Sequence, residues 1–294
     1  MIELPLPARV ERQLIETSRR QVSALRGVPR PEADNGIDVV MASGFFGTKE
    51  DYRELISLLA EAGFRGWAYD YSGQLDLVPD EIEIEYTITD MADDLMAVVR
   101  AVTSGRPAHL IGHCLGGFVA RSAALAAPGL ARSLTLLATG PSLRGDKQQA
   151  MLTGLAELHT NGGTIALWPL VKVLLAEDDT IMREFWHAKL ATMNPNWVTG
   201  TAESMADEPD RSAELTVAGV PSLVVHGKRD RRLWSVNTYA DMARRIGAGH
   251  VIIERASHSP NMEQPGLLAA ALVDFWACAA GHRAYQAEPA TAAG

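Results

Sequence analysis

The stretch that most constrains this chain is Ala108-His-Leu-Ile-Gly-His-Cys-Leu-Gly-Gly-Phe-Val-Ala120. A short apolar run ends in Gly112, a cysteine follows two positions later, and paired glycines lead into a helical run rich in Ala and Leu. This order predicts a strand, a sharp turn and a helix, with Cys114 at the tip. Such a turn needs small residues two positions either side of its tip, because strand and helix pack closely behind it. The tip side chain then stands over the sheet edge beside the first N–H groups of the helix. Those groups and the helix dipole favour an anion there, which for cysteine means the thiolate.

The rest of the chain fits an α/β protein. Residues 6–25 carry Leu6, Val10, Leu14, Val22 and Leu25 at helix-like spacing among polar residues. This predicts an amphipathic N-terminal helix, followed by a polar, Pro-containing connector up to Gly36. From Ile37 the pattern changes. Short, continuous apolar runs at 37–42, 66–69, 108–112, 133–138, 222–226 and 250–254 read as strands buried on both faces. Helices fit between them at 49–62, at 90–102 with Thr89 as N-cap, at 115–126, after Ser235 and at 265–279. The alternation predicts a mostly parallel sheet with right-handed crossovers and helices on both faces. Between Pro141 and Leu215 it stops. That segment reads as helical pieces broken by Gly162-Gly163 and Asn194-Pro195-Asn196, too long for a plain connection.

Gly112-His-Cys-Leu-Gly-Gly117 resembles the nucleophile elbow of the α/β-hydrolase fold, in its cysteine form rather than the commoner serine form. The resemblance covers residues 37 to 279. It implies a core of 37–141 and 215–280 with a helical cap of 142–214 over the active site; outside it lie the N-terminal helix and connector of 1–36 and a small, polar tail of 281–294, expected to be flexible. One departure stands out. The family usually opens with an antiparallel strand pair, none is evident before Ile37, and the N-terminal helix is expected to replace it.

A thiol needs a base to take its proton, and the base needs a third group to fix its tautomer. Both belong in loops at the carboxyl ends of strands. His258 lies in the small, polar loop Glu254–Pro265 between the last strand and the last helix, where the family carries its catalytic histidine. Asp230 follows the strand ending in Val224-Val-His-Gly, in a loop that resembles the family's acid loop; Asp146, after the preceding strand, is the alternative acid. His113 reads as a packing residue and His226 as structural. An oxyanion hole would take the N–H of Leu115 and one from Ala42-Ser-Gly-Phe-Phe-Gly-Thr48, expected at Phe45. Family members commonly have His-Gly where this chain has Ser43-Gly44. Asp70-Tyr-Ser-Gly-Gln74 resembles the family's Asp-x-x-Gly turn and reads as structural. Phe46, with Trp168, Phe185, Trp186 and Trp197 of the cap, suits an apolar acyl or aromatic pocket, although the cap rings would equally serve to fix the cap on the core.

The net charge of −9 and the lack of a long basic, aromatic-interleaved stretch argue against a nucleic-acid partner. No run approaches a membrane-spanning length, and the first residues lack the basic and apolar regions of a signal peptide. The two cysteines, Cys114 and Cys278, suggest no disulfide framework, so the cytoplasm is the expected compartment. No metal or other cofactor is expected.

A cysteine nucleophile makes the covalent intermediate a thioester. Accepting an acyl group from a coenzyme A or carrier-protein thioester is then close to thermoneutral. The expectation is therefore thioester hydrolysis or acyl transfer on a small-molecule acyl substrate, through Cys114, His258 and Asp230. Three rivals stay open: a serine-type ester hydrolase in which Cys114 replaces a native serine, a C–C hydrolase or lyase on the same scaffold, and a non-catalytic small-molecule receptor.

Overall fold

A computed structural model describes residues 3–74, 86–175 and 179–280 of the chain. The expected flexible tail, 281–294, lies outside the described residues.

The chain opens with two strands, β1 (Val10–Glu16) and β2 (Gln21–Gly27), followed by β3 (Asp38–Ala42). A single 3₁₀ turn, Lys49–Tyr52, runs into α1 (Arg53–Glu61), and β4 (Arg65–Tyr69) returns to the sheet. Helix α2 (Ile88–Thr103) precedes β5 (Ala108–His113), α3 (Leu115–Ala126) and β6 (Ala131–Leu137). Five helices follow before the next strand: α4 (Asp146–Gly162), α5 (Trp168–Val171), α6 (Thr180–Thr192), α7 (Pro195–Asp207) and α8 (Ser212–Ala218). The chain then completes β7 (Ser222–Gly227), α9 (Val236–Arg245), β8 (Gly249–Ile253), α10 (Pro260–Glu263) and α11 (Pro265–Ala280).

The eight strands form one sheet in the order β1-β2-β4-β3-β5-β6-β7-β8. All pairs from β4 to β8 are parallel. Every residue of β3, β5 and β7 is buried, as expected of strands covered on both faces. Alternate side chains divide between two cores. Val40, Ala42 and Leu110 pack with α2, α3 and α9, whereas Val39, Met41 and Ile111 pack with α1 and α11. Strand order runs outward in both directions from β3, so the β3 and β5 loops part at a switch point. Open sheets of this kind bind ligands there.

The N-terminal expectation is overturned. Residues 10–27 are not a helix but an antiparallel hairpin, in register from Val10 opposite Gly27 to Glu16 opposite Gln21. Its turn is closed by the Thr17 N–H donating to the Arg20 carbonyl at 3.1 Å. Thr17 Oγ1 also accepts from the N–H groups of Arg19 and Arg20. Strand β2 pairs antiparallel with β4 and buries Val22, Ala24 and Leu25. Leu14, which contributed to the helical pattern, is 55% exposed. The sheet edge offered by β4 outweighed the local period, and the strand pair that had seemed missing is present.

Candidate active site

The turn after β5 places Cys114 at φ 51°, ψ −111°, a strained conformation for a residue with a Cβ. The surrounding glycines are required by contact. A Cβ on Gly112 would lie 2.0 Å from the Gly116 carbonyl oxygen, and one on Gly116 would lie 2.1 Å from that of Ala42. The turn is tied to β6: the Cys114 N–H donates to Leu137 O at 2.9 Å, and Thr139 Oγ1 donates to Cys114 O at 3.0 Å. As first residue of α3, Leu115 has an N–H with no acceptor in its own helix.

Asp230 and His258 are 28 positions apart, yet Asp230 Oδ2 lies 3.0 Å from His258 Nδ1. Asp230 is fully buried and also accepts from Tyr239 Oη at 2.9 Å and from the Arg232 N–H at 3.1 Å. Burial alone would raise its pKa; the bond to His258, the His258 charge and these further donors outweigh it and hold it at about 2. Burial would lower His258, but its hydrogen bonds to Asp230 and Cys114, with their charges, raise it to about 10. The ring is thus held in its protonated, imidazolium form beside the cysteine. Asp146 does not compete: it is an exposed first residue of α4.

Two supporting residues escaped the sequence reading. His113 Nε2 donates to the His258 carbonyl at 2.8 Å, tying the His258 loop to the elbow. Tyr239, fully buried, stacks on His226 at 4.4 Å while its hydroxyl holds Asp230. His113 directly precedes the elbow cysteine, which is a usable signal. Nothing local marks Tyr239.

A cavity of about 290 Å³ opens over Cys114 and His258. Its walls are mostly apolar and come from both layers: Phe45, Phe46, Leu233 and Met262 from the core, Leu152, Leu155, Val171, Trp186 and Met205 from the helices between β6 and β7. Asp51 and Arg232 are its charged residues apart from the histidines. Of the five rings expected around substrate, Phe46 and Trp186 line this cavity. Trp168, Phe185 and Trp197 do not: Trp168 packs edge-on against His187, Phe185 is buried in the core, and Trp197 is fully buried, stacked on Tyr71 at 5.4 Å. Among the described residues no three His, Cys, Asp or Glu side chains are grouped to hold a metal ion, and no helix is long and apolar enough to cross a membrane.

The model of the alpha/beta hydrolase family matches residues 39–271, from the third strand into the last helix. The chain belongs to the alpha/beta hydrolase family. Relatives of this hydrolase include RutD of Variovorax paradoxus (strain S110), named as a candidate carbamate hydrolase and 36% identical over 103 residues. That match spans 35% of the chain and only 38% of the relative's length. The RutD of Pantoea ananatis (strain LMG 20103), with the same name, is 25% identical over 255 residues, 83% of this chain and 90% of that protein. A pimeloyl-acyl-carrier-protein methyl ester esterase of Aeromonas hydrophila is 25% identical over 193 residues, 62% of this chain and 74% of that one. Among solved structures, a thermophilic esterase from Thermogutta terrifontis superposes with a TM-score of 0.74 at 22% identity, covering 92% of this chain and 99% of that one. The enol-lactonase from Burkholderia xenovorans LB400 gives 0.73 at 18% identity, covering 90% and 100%. At those identities the structures speak for a shared fold alone.

Proposed function

We propose that this hydrolase cleaves an ester or thioester of an apolar acyl group through an acyl-Cys114 intermediate. The observation that carries the reading is that Cys114 and His258 line one apolar cavity, with buried Asp230 bonded to His258 behind them. His258 Nε2 has taken the thiol proton before Sγ attacks the acyl carbonyl, and Asp230 holds Nδ1–H and stabilises the imidazolium. The carbonyl oxygen becomes an oxyanion facing the N–H groups of Leu115 and Phe45. Collapse breaks the bond to the leaving group, which departs with the proton from His258. Water, deprotonated by the same imidazole, then cleaves the thioester, releasing the acid and returning the proton to Cys114.

Relatives named as an ester hydrolase and a candidate carbamate hydrolase favour hydrolysis as the second half-reaction. The esterase relative acts, by its name, on an ester attached to a carrier protein, which supports a carrier- or coenzyme A-bound acyl group among the substrates to be tried. Acyl transfer to an alcohol or amine differs only in what attacks the thioester. Intact-protein mass spectrometry after incubation with acyl-thioester and activated-ester donors tests the reading. An acyl adduct is expected on wild type and absent from Cys114→Ala. Decay of the adduct that is unchanged by added alcohols and amines assigns hydrolysis, and faster decay assigns transfer. Consumption of donor by Cys114→Ala at the wild-type rate would remove the covalent mechanism.

A further inference from the structure

The loop after β3, which carries the Phe45 N–H, is held from an unexpected side. Within it the Gly47 N–H donates to Gly44 O at 2.9 Å. Carbonyl and N–H of one trans peptide point in opposite directions, so this bond aims the Phe45 N–H away from the turn. The next three carbonyls all accept from side chains of the cap. Trp197 Nε1, on α7, donates to Phe45 O at 3.2 Å. Lys189 Nζ, on α6, donates to Phe46 O at 2.6 Å and to Gly47 O at 2.9 Å. Four consecutive peptide planes are therefore fixed, three of them by the cap.

Lys189 is 2% exposed. Its ammonium lies 4.5 Å from the Trp186 ring centroid, among the charges of Asp51, Asp70, Glu50 and Lys49. Burying an ammonium is costly unless its protons are used, and two of them go to this loop. A side chain that merely fastened the cap could do so with apolar contacts, as most of the cap does.

We propose that Lys189 and Trp197 are positioning residues that orient the Phe45 N–H toward the oxyanion, so that a seated cap is a condition for acyl transfer. The inference rests on the acyl-Cys114 reading above. Without the two donors, the 45–48 peptides gain freedom to rotate, and a preorganised donor becomes one that must be ordered during the reaction. Cys114, His258 and Asp230 are anchored to other elements and keep their arrangement.

Two reactions of the same sulfur separate this role from a structural one. Turnover of p-nitrophenyl butyrate develops charge on a carbonyl oxygen. Alkylation of Cys114 by iodoacetamide displaces iodide and develops none. In the full-length Lys189→Met variant, kcat for the ester is expected to fall at least about tenfold, with KM and the alkylation rate each within about threefold of wild type. Lys189→Gln, which restores a donor, is expected to recover part of kcat, and Trp197→Phe to lose kcat in the same selective way. Equal loss of both reactions in all three variants would overturn the proposal, since the damage would then be to the fold or to the thiol. Unchanged ester turnover would overturn it as well. A wild type that is alkylated but never turns over ester would sink the acyl-enzyme reading and this inference together, whereas a fully active Lys189→Met sinks the inference alone.

Discussion

His113 and His258 are joined through the backbone: His113 Nε2 donates to the His258 carbonyl at 2.8 Å, across 145 positions of sequence. Burial pushes His113 down to about 3, so the ring is neutral, and the carbonyl acceptor places its proton on Nε2. The elbow therefore carries both Cys114, the proposed nucleophile, and the peg that sets the His258 loop.

His113→Phe keeps a ring of similar shape and removes the donor, leaving a buried carbonyl unpaired. The expected cost is about 1–3 kcal/mol of stability by denaturant titration. A fall in kcat larger than the rise in KM should accompany it, because the variant frees the His258 loop while the apolar side chains of the cavity stay in place.

The Asp230–His258 pair sets a pH window for stability. His258 is raised from 6.5 to about 10, so its contribution is complete below pH 6.5 and is lost as pH rises through about 10. Asp230 is lowered from 3.8 to about 2, so its contribution is present above pH 3.8 and is lost as pH falls through about 2. Thermal melts of wild type against the neutral double variant Asp230→Asn/His258→Gln should differ most between those two ordinary values. The gap should narrow steadily on the alkaline side.

Gly116→Ala would set a methyl 2.1 Å from the Ala42 backbone oxygen, an atom that cannot swing aside. A loss of about 3 kcal/mol or more is expected, read as a lowered denaturation midpoint or as insoluble protein. Retention of wild-type stability would mean that β3 and α3 do not approach as closely as described.

Trp186 is 4% exposed and forms part of the cavity wall. Trp186→Ala should widen the acyl site, moving the optimum of a p-nitrophenyl ester series toward longer or branched chains. Leu155→Trp should narrow it, and longer chains should then lose kcat/KM more than acetyl does. An unchanged chain-length profile in both variants would place the acyl group elsewhere.

Much of the architecture could be read from the chain because its strands report themselves twice. Each of β3 to β8 is a short apolar run, and each ends where a small or polar loop begins, so length and flanks agreed. Helix α3 begins and ends where the elbow pattern placed it, since a glycine-lined turn leaves the chain no other exit. For α2 the start lies at Ile88 with Thr87 as its cap, because the Thr87 hydroxyl, not that of Thr89, reaches the Asp90 N–H at 3.0 Å. The hairpin of β1 and β2 was misread because Val10 and Leu14 mimic a helical face. Only the pairing of β2 with β4 makes extended backbone the better choice.

The candidate site divides along the same line. Sequence alone determined the strained turn around Cys114, because the glycine spacing is a local steric requirement, and it pointed to His258 and Asp230 by their positions at strand ends. Tertiary structure decided what surrounds them: Tyr239 on Asp230, His113 on the His258 backbone, and Lys189 and Trp197 on the loop of Phe45. These partners lie far away in sequence and are ordinary in type. A hydrogen bond between such residues leaves no period or motif behind, and exists only once the sheet and the helices between β6 and β7 have brought donor and acceptor within reach.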